Sequence, residues 1–180
     1  TAYGARSQDL LTWQKLGQQI NVGGGPPGSV DTATASAAIA HKFGNTYYLT
    51  YLGSPNLAGS PAVIPALPYI LHGATASSIT GPWTKTGVVV PVNTNVYDTT
   101  QETADGWIET FDGGTTYECI HGVYIGGQRG VAWAKSTTTP LGPYTKQAIL
   151  INSAIEQVEN PRIVYDSGSG YYFLIANHVG

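Results

Sequence analysis

The sequence predicts an all-β fold and, within that class, a β-propeller. Three observations carry the prediction. Helical periodicity is almost absent. Short runs of β-branched and aromatic residues alternate with Gly, Pro, Asn and Asp turn signals along the chain, the pattern of a sandwich, barrel or propeller. A block of sequence also recurs, and self-similarity at a fixed period marks a repeat architecture.

The chain opens with two extended segments, about Thr1 to Ser7 and Trp13 to Ile20. Asp9 to Ile20 has the nearest approach to helical spacing, through Leu10, Leu11, Trp13, Leu16 and Ile20. Gly17 interrupts it and Gly23-Gly24-Gly25-Pro26-Pro27-Gly28 follows, so its second half reads as a strand and the Gly/Pro run as a loop. Further β-rich runs lie at Asn45 to Tyr51, Gly87 to Val92, Thr115 to Tyr124 and Gly130 to Lys135. The last three are Ala148 to Ile151, Arg162 to Tyr165 and Tyr171 to Ile175.

The repeated block is Gly-Pro-aromatic-Thr-Lys ahead of an apolar run. It reads Gly81-Pro82-Trp83-Thr84-Lys85 before Val88-Val89-Val90, and Gly142-Pro143-Tyr144-Thr145-Lys146 before Ile149-Leu150-Ile151. A looser copy is Leu11-Thr12-Trp13-Gln14-Lys15. Small-residue segments ending in Ser precede the three copies: Thr75-Ala76-Ser77, Ala134-Lys135-Ser136 and Ala5-Arg6-Ser7. A second block is a turn followed by an aromatic strand, at Phe43 to Tyr48, Asp112 to Tyr117 and Asp166 to Tyr172. Each full repeat therefore holds four strands, which is a propeller blade. The aromatic residue of the first block, Trp13, Trp83 or Tyr144, is expected to wedge between blades, because a flat ring buries much area in a thin gap.

The end of the chain, about 160–179, holds two strands of a blade, and its start holds two more. The expectation is a single domain over 1–180, with blades at about 34–92, 105–152, and 159–180 joined with 1–20. The terminal strands would close the last of three four-stranded blades and hide its sheet edges. The competing accounts are a piece of a larger propeller and a ring completed by self-association.

Composition narrows the function. Charged residues are 11% of the chain, against roughly 25% in an average domain. Eight Lys and Arg with a net charge of −3 leave no basic footprint for nucleic acid. No run approaches the ~18 unbroken apolar residues of a membrane helix; the longest, Ala62 to Leu71, is cut by Pro65 and Pro68. Cys119 stands alone and reads as a small buried hydrophobe. The Gly-rich runs lack the Lys and the strand-to-helix setting of a phosphate cradle, and no Gly-x-Ser-x-Gly elbow occurs. No metal or cofactor is expected. The low charge and the Gly, Ser, Thr and Tyr content point to a secreted protein; a monomer or weak homo-oligomer is expected.

The run Val158-Glu159-Asn160-Pro161-Arg162-Ile163-Val164-Tyr165-Asp166, followed by Tyr171-Tyr172-Phe173-Leu174 and Asn177-His178, resembles a blade of the five-bladed glycoside hydrolases of the arabinanase and β-xylosidase type. Ser7-x-Asp9-Leu10-x-x-Trp13 and the Gly-Pro-aromatic turns are similar to that family too. The resemblance implies a propeller whose catalytic carboxylates stand at the starts of the innermost strands, and a neutral plant-type polysaccharide, such as one containing arabinose or xylose, as substrate. That family closes with five blades; this chain has material for about three.

In that family the acid is a Glu in a Glu-x-Pro-like context, which Glu159-Asn160-Pro161 matches. Counting back seven from the turn aspartates pairs Glu159 with Asp105, through Asp166 and Asp112, so Asp105 resembles the family's pKa-modulating aspartate. The first repeat aligns Thr34 there and has no carboxylate in register; Asp31, three residues upstream, is the stand-in base. His178 and His121 follow the aromatic strands of their repeats, and with Trp107 and Thr34 they complete the candidate binding set. Asp112 and Asp166 read as turn residues, and Glu109, Glu118 and Glu156 as solvated faces. Three functions stay open: a glycoside hydrolase, a non-catalytic carbohydrate-binding propeller, and a structural domain that assembles with its own copies.

Overall fold

The computed structural model describes residues 1–92, 102–152 and 157–178. Within them every regular element is a strand. Two four-stranded antiparallel units have the strand order of a blade. The first runs β3 (Thr34–Phe43), β4 (Thr46–Ser54), β7 (Tyr69–Ala76) and β8 (Thr84–Val90). A small separate hairpin, β5 (Asn56–Ala58) with β6 (Ile64–Ala66), is inserted between β4 and β7. The second unit runs β9 (Glu102–Glu109), β10 (Tyr117–Ile125), β11 (Gln128–Ser136) and β12 (Thr145–Ile151). Each is flanked by a half-blade: β1 (Ala2–Arg6) with β2 (Gln14–Ile20) on one side, β13 (Val158–Asp166) with β14 (Tyr171–His178) on the other.

The expected zipping of the two chain ends is not formed. β1–β2 and β13–β14 are two separate two-stranded sheets, so the region near Ala5 and the region near Ile175 share no ladder. The physical reason lies in the seams. Ile20 of β2 packs on Ala35, Leu49, Tyr51 and Ala74 of the first blade, with Trp83 against them. Val158 of β13 packs on Ile120 and Val131 of the second. Each half-blade packs on a different whole blade, and these packed seams, not the chain ends, set the angle at which successive blades follow one another, leaving the two end hairpins without a shared ladder.

The seam between the two blades holds the largest cluster of buried apolar residues among the described residues. Leu71, Val89 and Val90 from the first meet Ile108, Cys119, Ala134 and Tyr144 from the second. Tyr144 is the expected wedge: its ring is buried and its hydroxyl donates to the Pro140 carbonyl at 2.8 Å. Trp83 fills the same place one seam earlier, half-buried. Trp13 does not: it is 58% exposed, because no described strand lies on its side of β2. Cys119 is fully buried, as its isolation in the sequence suggests.

Close approach across this seam depends on Gly106. A Cβ there would stand 2.3 Å from the Leu71 side chain. The Gly106 carbonyl instead accepts a hydrogen bond from Thr50 Oγ1 at 2.8 Å, tying β9 to β4. Thr103 Oγ1 donates to the Val90 carbonyl at 2.7 Å, and a short parallel pairing, Tyr69 opposite Glu102 and Ile70 opposite Thr103, locks β9 to β7.

Candidate functional site

The innermost strands of all three units carry the same irregularity. The register slips between Ser36 and Ile39 in β3, opposite Ile120 and Gly122 in β9, and between Glu159 and Arg162 in β13. At each slip one non-glycine residue takes the left-handed backbone: Ala37 (φ 48°), Asp105 (φ 54°) and Asn160 (φ 53°). Such backbone costs ~1–2 kcal/mol per residue and concentrates at functional sites. The bulge bends the strand and re-aims side chains. It gathers Ala37, Asp105, Glu159 and Asn160 around one pocket of about 290 Å³, with Glu102, Arg129 and Tyr69.

This geometry revises the alignment of the repeats. Asp105 corresponds to Asn160 and Ala37, so Glu159 corresponds to Ala104 and Ser36. Counting back from the turn aspartates misses this by one, because Asp166 ends β13 whereas Asp112 lies beyond β9. Glu159 and Asp105 are nonetheless brought together, and the first blade still presents no carboxylate at its bulge.

Charge in the pocket is tightly arranged. The Arg129 guanidinium donates through Nη1 to Glu159 Oε2, and its Nε lies 3.8 Å from Glu102 Oε2. Glu102 is 2% exposed, and its Oε2 has no hydrogen-bond partner. Burial pushes its carboxyl up to about 7 against the pull of Arg129, with the Asp105 and Glu159 charges adding to the rise. Burial also raises Asp105, opposed by a hydrogen bond from the Asn160 N–H. Gly122 makes room: a Cβ there would stand 3.1 Å from Glu102 Oε1.

The other expected site residues lie elsewhere. Asp31 is fully buried beneath the Gly/Pro loop, where its Oδ2 takes Lys85 Nζ at 2.5 Å and Tyr51 Oη at 2.9 Å. Burial pushes Asp31 up, but the Lys85 and Tyr51 hydrogen bonds outweigh it and the carboxyl sits below its ordinary value. It anchors the loop and does not line the pocket. His121 is fully buried, Nδ1 2.9 Å from the Gly122 carbonyl, and burial holds it down to about 4. Thr34 is buried opposite Ser54 where β3 begins. His178 is exposed at the end of β14, opposite Val158. Trp107 lies against the His41 ring, 5.2 Å centroid to centroid, with Arg162 over its face at 5.0 Å. None of these four borders the pocket.

Glu118 is not a solvated face either: half-buried, it accepts the Trp133 indole N–H at 2.6 Å and pairs with Lys135 at 3.5 Å. Glu156 lies outside the described residues. Asp112 and Asp166 are turn residues as expected, taking the backbone N–H groups of Thr115 and Thr116, and of Gly168 and Ser169. Sequence reading missed Glu102 and Arg129. Their signal was scarcity: in a chain with so few charges, Glu102 at the start of β9 and Arg129 near the start of β11 ask for partners.

Solved structures similar to this fold are five-bladed β-propeller glycoside hydrolases. A family 117 glycoside hydrolase, Zg3597 of the marine bacterium Zobellia galactanivorans, matches 97% of this chain and 51% of its own, at 18% identity and a TM-score of 0.68. The Bombyx mori GH32 β-fructofuranosidase BmSUC1 matches 99% of this chain and 35% of its own, at 17% identity and a TM-score of 0.71. The GH43 β-xylosidase/α-arabinofuranosidase CoXyl43 from a compost microbial metagenome matches 81% of this chain and 43% of its own, at 16% identity and a TM-score of 0.58. The chain spans about half the length of these proteins, or less. No family model matches the sequence, and no curated protein does. The likeness is one of fold: all-β, with the strand order of part of a propeller.

Proposed function

We propose that this chain carries the proton-donor side of a glycoside-hydrolase site acting on a neutral plant-type polysaccharide outside the cell. Glu159 is the general acid and Asp105 the neighbouring carboxyl that tunes it. The observation that carries this reading is the bulge pair: Asp105 and Glu159 come from adjacent innermost strands into one pocket, and Asp105 is bonded to the backbone of the residue after Glu159. Glycoside cleavage needs one carboxyl to protonate the leaving oxygen and a second, across the scissile bond, to activate water or attack. The pocket supplies the first. The similar structures named above are carbohydrate-active enzymes, which supports a sugar as ligand.

A second reading, carbohydrate binding without cleavage, is favoured by two features. Ala37 stands at the third bulge, where a carboxyl would complete the set. Arg129 is engaged with Glu159, and proton donation requires that contact to open.

The test is a panel of arabino-, xylo-, fructo- and galacto-oligosaccharides, assayed for binding by calorimetry and for cleavage by reducing-sugar release, with Glu159→Gln in parallel. Hydrolysis that falls about 10²-fold or more in Glu159→Gln supports the acid role. Binding with no cleavage by either protein selects the second reading. No binding to any member overturns both.

A further inference from the structure

Glu102, Asp105 and Glu159 line the pocket with Arg129, and they do not share its guanidinium equally. β10 lies between β9 and β11, and Gly122 leaves its face bare: a Cβ there would stand 3.1 Å from Glu102 Oε1 and 3.8 Å from Asp105 Oδ2. Arg129 of β11 and the carboxyls of β9 meet across that face. Among the described residues, the carboxylates at ion-pair distance from Arg129 are Glu159 and Glu102. Glu159 holds the guanidinium by a hydrogen bond, whereas Glu102 Oε2 stands 3.8 Å from Nε. A side-chain movement of about 1 Å would bring that pair into hydrogen-bond range.

The two seats differ in burial. The Glu102 side chain is 3% exposed and its Oε2 has no hydrogen-bond partner, whereas the Glu159 side chain is 29% exposed. A buried acceptor left unpaired bears its full desolvation cost. Glu102 therefore claims the guanidinium as soon as Glu159 stops competing, and Glu159 stops when it is neutral, because ionised pairs make the stronger hydrogen bonds. The neighbouring groups are engaged elsewhere. Asp105 takes the Asn160 N–H. Arg162 lies over Trp107 and donates to the Pro161 carbonyl. Tyr69, opposite Glu102 on β7, donates its hydroxyl to the Pro65 carbonyl.

We propose that Glu102 is the second seat of Arg129 and a positioning residue for Glu159: when Glu159 becomes neutral, the guanidinium moves to Glu102 and leaves the Glu159 carboxyl free to donate its proton. The proposal rests on the acid role given to Glu159 above, and it supplies the opening of the Arg129 contact which that role requires. The step conserves protons and charge. The proton lost by Glu102 is the one gained by Glu159, and Arg129 moves the other way, from Glu159 to Glu102. While Arg129 sits on Glu159, burial holds the Glu102 carboxyl up at about 7, so it keeps a proton to give under near-neutral conditions.

The experiment uses Glu159→Gln in the 180-residue chain, where the neutral amide stands in for the protonated acid. Its crystal structure at pH 7 is expected to show Arg129 about 3 Å from Glu102 Oε2. The Glu102 titration midpoint, read by carboxyl carbon NMR, is expected to fall from about 7 by roughly one unit or more. Loss of the Glu159 charge alone lowers that midpoint too, so the position of Arg129 decides. Glu102→Gln, which keeps the shape of the side chain, removes the second seat. In the hydrolysis assay it is expected to lower kcat about tenfold or more with KM nearly unchanged, and to move the decline above neutral pH to lower pH. If the parent cleaves no sugar, the acid role falls, and the Glu159→Gln structure still decides where Arg129 goes. Arg129 remaining beside residue 159 or turned to solvent in that structure overturns the proposal, as does a cleaving Glu102→Gln enzyme with the parent's pH profile.

Discussion

Glu102 makes stability depend on pH in a direction opposite to that of most carboxylates. Its side chain is 3% exposed, one oxygen lacks a hydrogen-bond partner, and Arg129 is 3.8 Å away, too far to offset burial. The carboxyl is raised from 4.5 to about 7. Between those values the folded chain holds a proton that the unfolded chain has lost. Stability therefore falls as pH climbs from 4.5 through 7, and above 7 the full cost of an ionised buried group is present. At 1.36 kcal/mol per pH unit the gap amounts to roughly 3 kcal/mol. Glu102→Gln keeps the shape and removes the charge. Urea unfolding at pH 8 should show the variant more stable by about 2–3 kcal/mol, a midpoint shift on the order of 1 M. At pH 4 the two proteins should agree within about 0.5 kcal/mol. Buried His41 and His121, both held down to about 4, destabilise the fold as pH drops below 6.5, but they do so equally in both proteins. A stability difference that is the same at pH 4 and pH 8 would refute the reasoning.

Three other outcomes follow from the packing. Tyr144→Ala opens the seam between the blades and should cost about 3–5 kcal/mol in urea unfolding, whereas Tyr144→Phe, which loses one buried hydrogen bond, should cost about 1 kcal/mol. Lys85→Met strands the buried Asp31 charge and should cost about 3–5 kcal/mol at pH 7. Because the Asp31 carboxyl is held below its ordinary value, that penalty should shrink as pH falls below about 4 and Asp31 protonates; a loss that does not ease in acid would rule out the ion-pair account. Gly106→Ala forces a methyl onto Leu71 and should cost about 1–3 kcal/mol; a calorimetric melting point equal to that of the parent would show that the seam tolerates the intrusion.

The fold was legible because propeller blades repeat, and a repeat is visible without any tertiary information. Gly81-Pro82-Trp83 and Gly142-Pro143-Tyr144 marked the same corner twice, and both aromatics wedge as their flat rings suggest. Closure was not legible. It depends on the angle between successive blades, which the packed seams set in space and no local pattern encodes. The inner strands β3 and β9 were located through the repeats alone, since alanines such as Ala35, Ala37, Ala38 and Ala40 carry little strand preference. Motif and repeat both pointed to Glu159 and Asp105, and the two bulges gather them around one pocket. Asp31 lies away from the pocket because Lys85 reaches it from a distant strand, a contact that no local pattern in the sequence shows. Arg129 was hidden by the same kind of distance, since its partners Glu102 and Glu159 lie on two other strands.

The β5–β6 hairpin sits outside the main hydrogen-bonded ladder, yet it contributes Ile64 and Pro65 to the pocket rim. It is held at its base by Asn56 Nδ2 donating to the Leu67 carbonyl at 2.7 Å and Tyr69 Oη donating to the Pro65 carbonyl at 2.9 Å. Its tip, around Val63, is open to solvent. Such an appendage can lengthen, shorten or change its chemistry while the blades beneath keep their register. The rim of this pocket can therefore change, or be grafted, through a hairpin that shares no ladder with the blades.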